Sequence, residues 1–117
     1  MRHRKKGRKF GRVRKVRRAF FKSLIKALIS KERIMTTEAR AKEIRPMTEK
    51  LLTKAKKGDM ASRRIVASSV GDEAAKKLFT QIAPKFSERH GGYTRIIKMP
   101  RRKSDSARMA IIEFIKS

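Results

Sequence analysis

From Val13 to Leu28, apolar residues return every three or four positions: Val13, Val16, Phe20, Leu24 and Leu28, with Phe21 and Ile25 widening the stripe. That spacing follows the 3.6-residue turn and predicts a helix beginning near Arg12. Arg14, Lys15, Arg17, Arg18, Lys22 and Lys26 fall on its other side, so one helix carries both a core face and a cationic face. The period breaks over residues 30–33, and Ile34-Met35 predicts a very short strand. Thr36 or Thr37 then caps a second helix, with Glu38 at the positive end of its dipole. This helix buries Ala41, Ile44, Leu51, Leu52 and Ala55, is kinked or divided at Pro46, and stops at Gly58. Asp59 caps a third helix to Val70, with Gly71 just past its end. Asp72 caps a fourth, which turns Leu78, Phe79 and Ile82 inward before Pro84.

Beyond Pro84 the pattern changes. Residues 85–92 read as a loop, Tyr93–Met99 as a strand, 100–106 as a basic loop, and Ala107–Ile115 as a second apolar strand. Two long strands joined by a flexible connection predict an antiparallel pair that needs helices as cover. The expected architecture is α+β: about four helices packed on a small, mostly antiparallel sheet of two or three strands. A basic N-terminal extension over residues 1–12 precedes a single domain over residues 13–117.

Charge changes the picture. The 117 residues hold 35 Lys and Arg against 10 Asp and Glu, a formal net charge of +25. Solubility alone asks for a magnitude of about 2–8 in a small domain. An excess this large and one-sided implies a polyanionic partner, and phosphate is the natural counter-charge. The chain is more than a basic tail, since 38% of it is hydrophobic and periodic, enough to close a small core.

Several chemistries are excluded. Without cysteine there are no disulfides, zinc ribbons or thiol nucleophiles. His3 and His90 sit in basic, glycine-bearing segments with no ligand at metal spacing. Asp72-Glu73, the only adjacent acid pair, is explained by a helix start. Gly7 and Gly11 lack the Gly-Lys-Ser/Thr ending of a phosphate loop. The expectation is a protein that is not an enzyme, with no cofactor, metal or small-molecule substrate. No stretch has the roughly 18 apolar residues of a membrane span; the most apolar, Ala19–Ile29, is broken by Lys22 and Lys26. The basic start resembles a signal or transit peptide, but basic residues continue to Arg101-Arg102-Lys103, so a removable leader is the minor reading.

Phosphate-binding features are spread along the chain. Eleven of the first eighteen residues are Lys or Arg, and the first acid is Glu32. Arg2, His3, Arg4, Lys5, Lys6, Arg8, Lys9 and Arg12 form an arm able to follow an irregular groove, ordered by its partner. Arg14, Lys15, Arg17, Arg18 and Lys22 add a fixed row on the first helix, and the loops around His90 and around Arg101, Arg102 and Lys103 add two patches. No zinc finger, basic zipper or helix-turn-helix is present. Phe20, Phe21, Phe79 and Phe114 sit at core spacing, which argues against aromatic platforms for single strands. Recognition by shape and phosphate remains, as expected of a protein bound to folded RNA. A DNA-compacting or architectural protein is the alternative. A membrane-active basic helix over Phe20–Ile29 is a third reading, which leaves the two C-terminal strands without purpose.

The segments Met1-Arg2-His3-Arg4-Lys5 and Gly7-Arg8-Lys9-Phe10-Gly11-Arg12 resemble the start of the bacterial large-subunit ribosomal protein seventeen family. The resemblance continues through Arg33–Thr37, Ala39–Arg45 and Leu78-Phe79, and ends with Gly91–Ile96 and Met109–Glu113, in the family's order. It implies a structural component of the large ribosomal subunit near the polypeptide exit tunnel. Its partners would be large-subunit ribosomal RNA and neighbouring ribosomal proteins; the lack of a convincing leader favours the bacterial cytoplasm over an organelle. It makes Arg2 to Arg18 the first candidates for RNA contact and Arg89, His90, Tyr93 and Arg95 the second. Tyr93 could equally be a strand-end core residue with its hydroxyl outward.

Overall fold

Helix α1 (Arg14–Lys31) opens the part of the chain, residues 14–115, that the computed structural model describes. The predicted start at Arg12 and the whole 1–12 arm lie outside the described residues. Phe21, Ile25, Leu28 and Ile29 form the buried face of α1, with Phe20 and Leu24 half-buried. Val16, expected in the core, is 50% exposed. Glu32, at a φ of 65°, ends the helix and turns the chain into strand β1 (Arg33–Thr37). The short strand expected at Ile34-Met35 is thus five residues long, extended by its pairing with a strand from the far end of the chain.

Helix α2 (Glu38–Lys57) is capped by Thr37, whose Oγ1 accepts from the Arg40 amide at 3.3 Å. It ends on Gly58, whose φ of 68° few other residues adopt cheaply. Pro46 does not divide it. Helical residues run unbroken from 38 to 57, and the ring costs one backbone bond on an exposed side while Ile44, Thr48, Leu51 and Leu52 hold the buried side in place. Helix α3 (Met60–Val70) is capped by Asp59, which accepts from the Ser62 amide at 2.7 Å.

The fourth helix departs furthest from expectation. Helix α4 covers only Asp72–Lys77, and its cap position is Gly71, not Asp72, which lies in the first turn. The chain then widens into a π turn at Leu78–Ile82 and tightens into a 3-10 turn at Ala83–Phe86. Pro84 sits in the first turn of that last element, where its missing N–H costs nothing. The change of winding buries Leu78, Ile82, Ala83 and Phe86 and leaves Phe79 half-buried under the Arg63 guanidinium, 5.3 Å from its ring centre. Lys85 and Phe86, read as loop, belong to this turn.

Strands β2 (Thr94–Met99) and β3 (Met109–Phe114) pair antiparallel as predicted, each slightly shorter than its apolar run. β3 also pairs antiparallel with β1, giving the order β1-β3-β2. Helix α2 crosses the sheet in contact with all three strands, and α1 and α3 pack on its other side. The core between these layers includes Leu28, Ile44, Leu52, Val66, Leu78, Phe86, Tyr93 and Ile112. The architecture is α+β, with four helices and a three-stranded antiparallel sheet.

Candidate nucleic-acid interface

The acidic residues are largely consumed inside the molecule. Glu32 faces Lys77 at 3.5 Å and Lys85 at 3.3 Å, and Glu38 holds Lys42 at 2.9 Å. Glu49 accepts from Thr94 Oγ1 at 2.8 Å and faces Arg45 at 3.4 Å, and Glu113 lies between Arg33 at 3.4 Å and Arg95 at 2.6 Å. The acids staple elements together, and the cations they leave over form the outer surface.

Those cations are not evenly spread. A groove of about 640 Å³ runs between α1, α2 and α3. Its floor is apolar, made by Phe21, Ile25, Met47, Leu51 and Ile65, and its rims carry Arg18 and Lys22 on α1 and Lys50 and Lys54 on α2. Lys50 and Lys54 also border a second depression with Lys57, Gly91 and Tyr93. One cationic track therefore passes from α1, across the C-terminal half of α2, to the loop before β2. Arg14, Lys15, Arg18 and Lys22 are exposed and Arg17 is half-exposed, and of this predicted row Arg18 and Lys22 line the track.

The loop is held from both ends. Lys56 Nζ donates to the Arg89 carbonyl and, at 3.3 Å, to the Tyr93 hydroxyl. Arg89 Nη1 reaches the Gly92 carbonyl at 3.2 Å, closing a turn in which Gly91 and Gly92 both have positive φ. Arg45 donates to the Thr94 carbonyl at 3.0 Å and fixes the start of β2. Arg89 and His90 stay exposed. Of the two readings of Tyr93, burial selects the core residue. Its side chain is 2% exposed and meets Phe86 edge-on at 5.5 Å, so it positions the loop instead of projecting from it.

The third patch stands apart. The loop over residues 100–108 lies at the N-terminal end of α2, where the Glu38 amide donates to the Arg108 carbonyl at 2.8 Å. The loop before β2 sits at the other end, roughly 30 Å away along a 20-residue helix. Arg102 grips Asp105 with both Nε and Nη2, at 3.0 and 2.9 Å, while Arg101 and Lys103 remain exposed on either side. The fork pulls the Asp105 carboxyl down to about 2. Arg95 is committed in the same way, to Glu113. Of the predicted set, the fold thus joins Arg18 and Lys22 to the loop of Arg89 and His90. It leaves Arg101 and Lys103 distant and ties Arg95 and Arg102 to carboxylates. Arg2, His3, Arg4, Lys5, Lys6, Arg8, Lys9 and Arg12 lie outside the described residues.

Lys50, Lys54 and Lys57 do not stand out in the sequence. Lys54 and Lys57 lie in a last helical turn, where basic residues are explained by the helix dipole alone, and Lys50 precedes it on an exposed face. Their i, i+4, i+7 spacing signals a shared face, but only packing shows that this face adjoins α1 and the Gly91 loop.

The family model described as ribosomal protein L17 matches residues 20–115. A large ribosomal subunit protein bL17 from Hydrogenobaculum sp. (strain Y04AAS1) is 52% identical over 118 residues, which cover 99% of this chain and 100% of that protein. The bL17 proteins of Thermodesulfovibrio yellowstonii and Campylobacter lari are each 51% identical over 116 residues, covering 98% of this chain and 87% and 99% of theirs. With its described body matched almost throughout and its relatives aligned nearly end to end, the chain belongs to the ribosomal protein L17 family, a family of ribosomal proteins and not of enzymes.

Proposed function

We propose that this protein is a structural constituent of the large ribosomal subunit that binds and stabilises folded large-subunit ribosomal RNA, in the ribosomes of the bacterial cytoplasm. The observation that carries this reading is the track from Arg18 and Lys22 through Lys50, Lys54 and Lys57 to Arg89 and His90, set on a body whose acids are mostly turned to internal use. Cations on three elements can screen phosphates of RNA helices that meet over α2, and the apolar core holds those cations at fixed separations. Residues 1–12 act as an RNA-binding arm and residues 13–117 as one α+β domain. Arg101 and Lys103 form a second, separate contact. Its place near the exit tunnel rests on the family resemblance.

The test is a salt titration of binding to protein-free large-subunit ribosomal RNA. With about 6–10 phosphates contacted, affinity should fall by roughly 10³–10⁵ between 50 and 200 mM salt. A complex insensitive to salt, or one displaced more readily by duplex DNA than by ribosomal RNA fragments, would overturn the reading.

A further inference from the structure

Directly paired residues of an antiparallel sheet share a face, and successive residues alternate between faces. The register Ile34–Ile112–Ile96 points at the helices and joins the core. The intervening rows point away from them: Arg33–Glu113–Arg95, Met35–Ile111–Ile97 and Thr37–Met109–Met99. On that open face Met35 is 62% exposed and Ile97 38% exposed, and Ile111, Met109 and Met99 are partly exposed between them.

We propose that this open face is the docking surface for an aliphatic segment of a neighbouring ribosomal protein, a partner reading that rests on membership of the ribosome. Three observations single out that occupant. First, this face is electrostatically quiet in a chain of net charge +25. Its two arginines, Arg33 and Arg95, both close on Glu113, and the two apolar rows beside them contain no charged residue. Nor do these rows carry an aromatic ring on which a base could stack, so the face offers RNA no platform, and only the single net charge of two arginines sharing one carboxylate at its edge. Second, another copy of this chain would bring a second charge of +25, and nothing on the face offsets that repulsion. Third, the size fits one secondary-structure element. Three strands about 4.8 Å apart, with five or six residues at about 3.3 Å each, span roughly 15 by 20 Å, the footprint of a single helix. The Arg33–Glu113–Arg95 row nets one positive charge, so the partner is an aliphatic helix face flanked by a neutral or acidic residue at that end.

Met35→Gln and Ile97→Thr, made together, remove the exposed aliphatic surface without altering charge or strand preference. Wild type and variant would be bound to two probes: protein-free large-subunit ribosomal RNA, and large-subunit particles stripped of this protein but retaining its neighbours. The expected result is equal affinity for the bare RNA and about a tenfold or greater loss on the particles for the variant. Equal binding of both proteins to the particles, or equal losses on both probes, would overturn the proposal. If wild type fails to bind bare RNA at all, the RNA-binding reading fails, while the difference between the proteins on particles still reports on the sheet. As a second measurement, a benzophenone side chain installed at position 97 in assembled subunits should cross-link to another ribosomal protein. Cross-links to RNA, to a second copy, or to nothing would each refute it.

Discussion

Lys56 Nζ stands 3.3 Å from the Tyr93 hydroxyl and 5.1 Å from the centre of its ring, so one cation on α2 donates to the phenol from beyond the rim of the ring. The same ammonium donates to the Arg89 carbonyl, and through these bonds the exposed turn bearing Arg89 and His90 is fastened to the C-terminal end of α2. A lysine is here used for geometry, while its neighbours Lys54 and Lys57 line the cationic track.

That relationship separates packing from tethering. Tyr93→Ala should cost about 3–5 kcal/mol, as expected for emptying a buried aromatic site. Tyr93→Phe keeps the ring and should cost about 1 kcal/mol or less. Lys56→Met should leave the urea midpoint close to wild type while amide exchange speeds up over residues 89–92. If exchange there is unchanged, Lys56 is not what holds the loop.

The hydroxyl of Thr48 is wholly buried in α2 and finds no hydrogen-bond partner among the described residues. A buried donor left unpaired is costly, and valine has nearly the same shape without that group. Thr48→Val should therefore raise unfolding stability by about 1 kcal/mol. Chemical denaturation settles this directly, and a loss of stability would mean that the hydroxyl is satisfied by a bound water.

Acid should loosen the molecule at identifiable points. The Arg102 fork lowers Asp105 from 3.8 to about 2, the hydrogen bond from Lys42 lowers Glu38, and the cap hydrogen bonds from Ser62 lower Asp59. A carboxyl whose folded pKa is depressed protonates more readily in the unfolded chain. Its contribution is complete above the ordinary carboxylate range and fades as pH falls towards the folded value. The 100–108 loop should accordingly open between about pH 4 and pH 2. Carboxyl-carbon shifts followed through the titration should show Asp105 protonating near pH 2, and Asp105→Asn should abolish the loop's acid transition.

Exposed cations should divide into two sorts. Lys22→Ala with Lys54→Ala should leave the helical circular dichroism intact and reduce the salt dependence of RNA binding by about one unit of slope for each phosphate no longer neutralised. Arg95→Ala should barely change that slope, because its charge is already directed at Glu113, and should cost about 1–3 kcal/mol of stability, because the Glu113 carboxylate it serves is largely buried. A larger loss of RNA affinity from Arg95→Ala than from the lysine pair would reverse the assignment.

Much of the architecture is legible in local pattern. Thr37 and Asp59 cap the helices that their spacing predicts, Gly58 ends α2, and the run from Thr94 to Met99 is a strand, because caps and periods involve residues a few positions apart. Two local rules are overruled. Pro46 normally breaks a helix, but α2 is sandwiched between the sheet and α1 and α3, and that packing keeps it whole. The residues after Lys77 carry helical spacing yet wind as π and 3-10 turns, an arrangement that buries both Leu78 and Phe86. Ile34-Met35 reads as a very short strand because its stabilising partner, β3, lies more than seventy positions further along the chain.

Composition and near-neighbour spacing suffice for the excess of positive charge, for the apolar stripes that make four helices and a sheet, and for the family pattern. Which cations are neutralised, and which come to adjoin one another, is settled by the packing of distant segments. Arg95 meets Glu113 across a ladder, and Lys54 faces Lys22 over a groove, each pair drawn from parts of the chain far apart in sequence. Charge acts over distances of about 10 Å in salt, so the pattern of charge on the surface depends on those long-range arrangements, which no local spacing encodes.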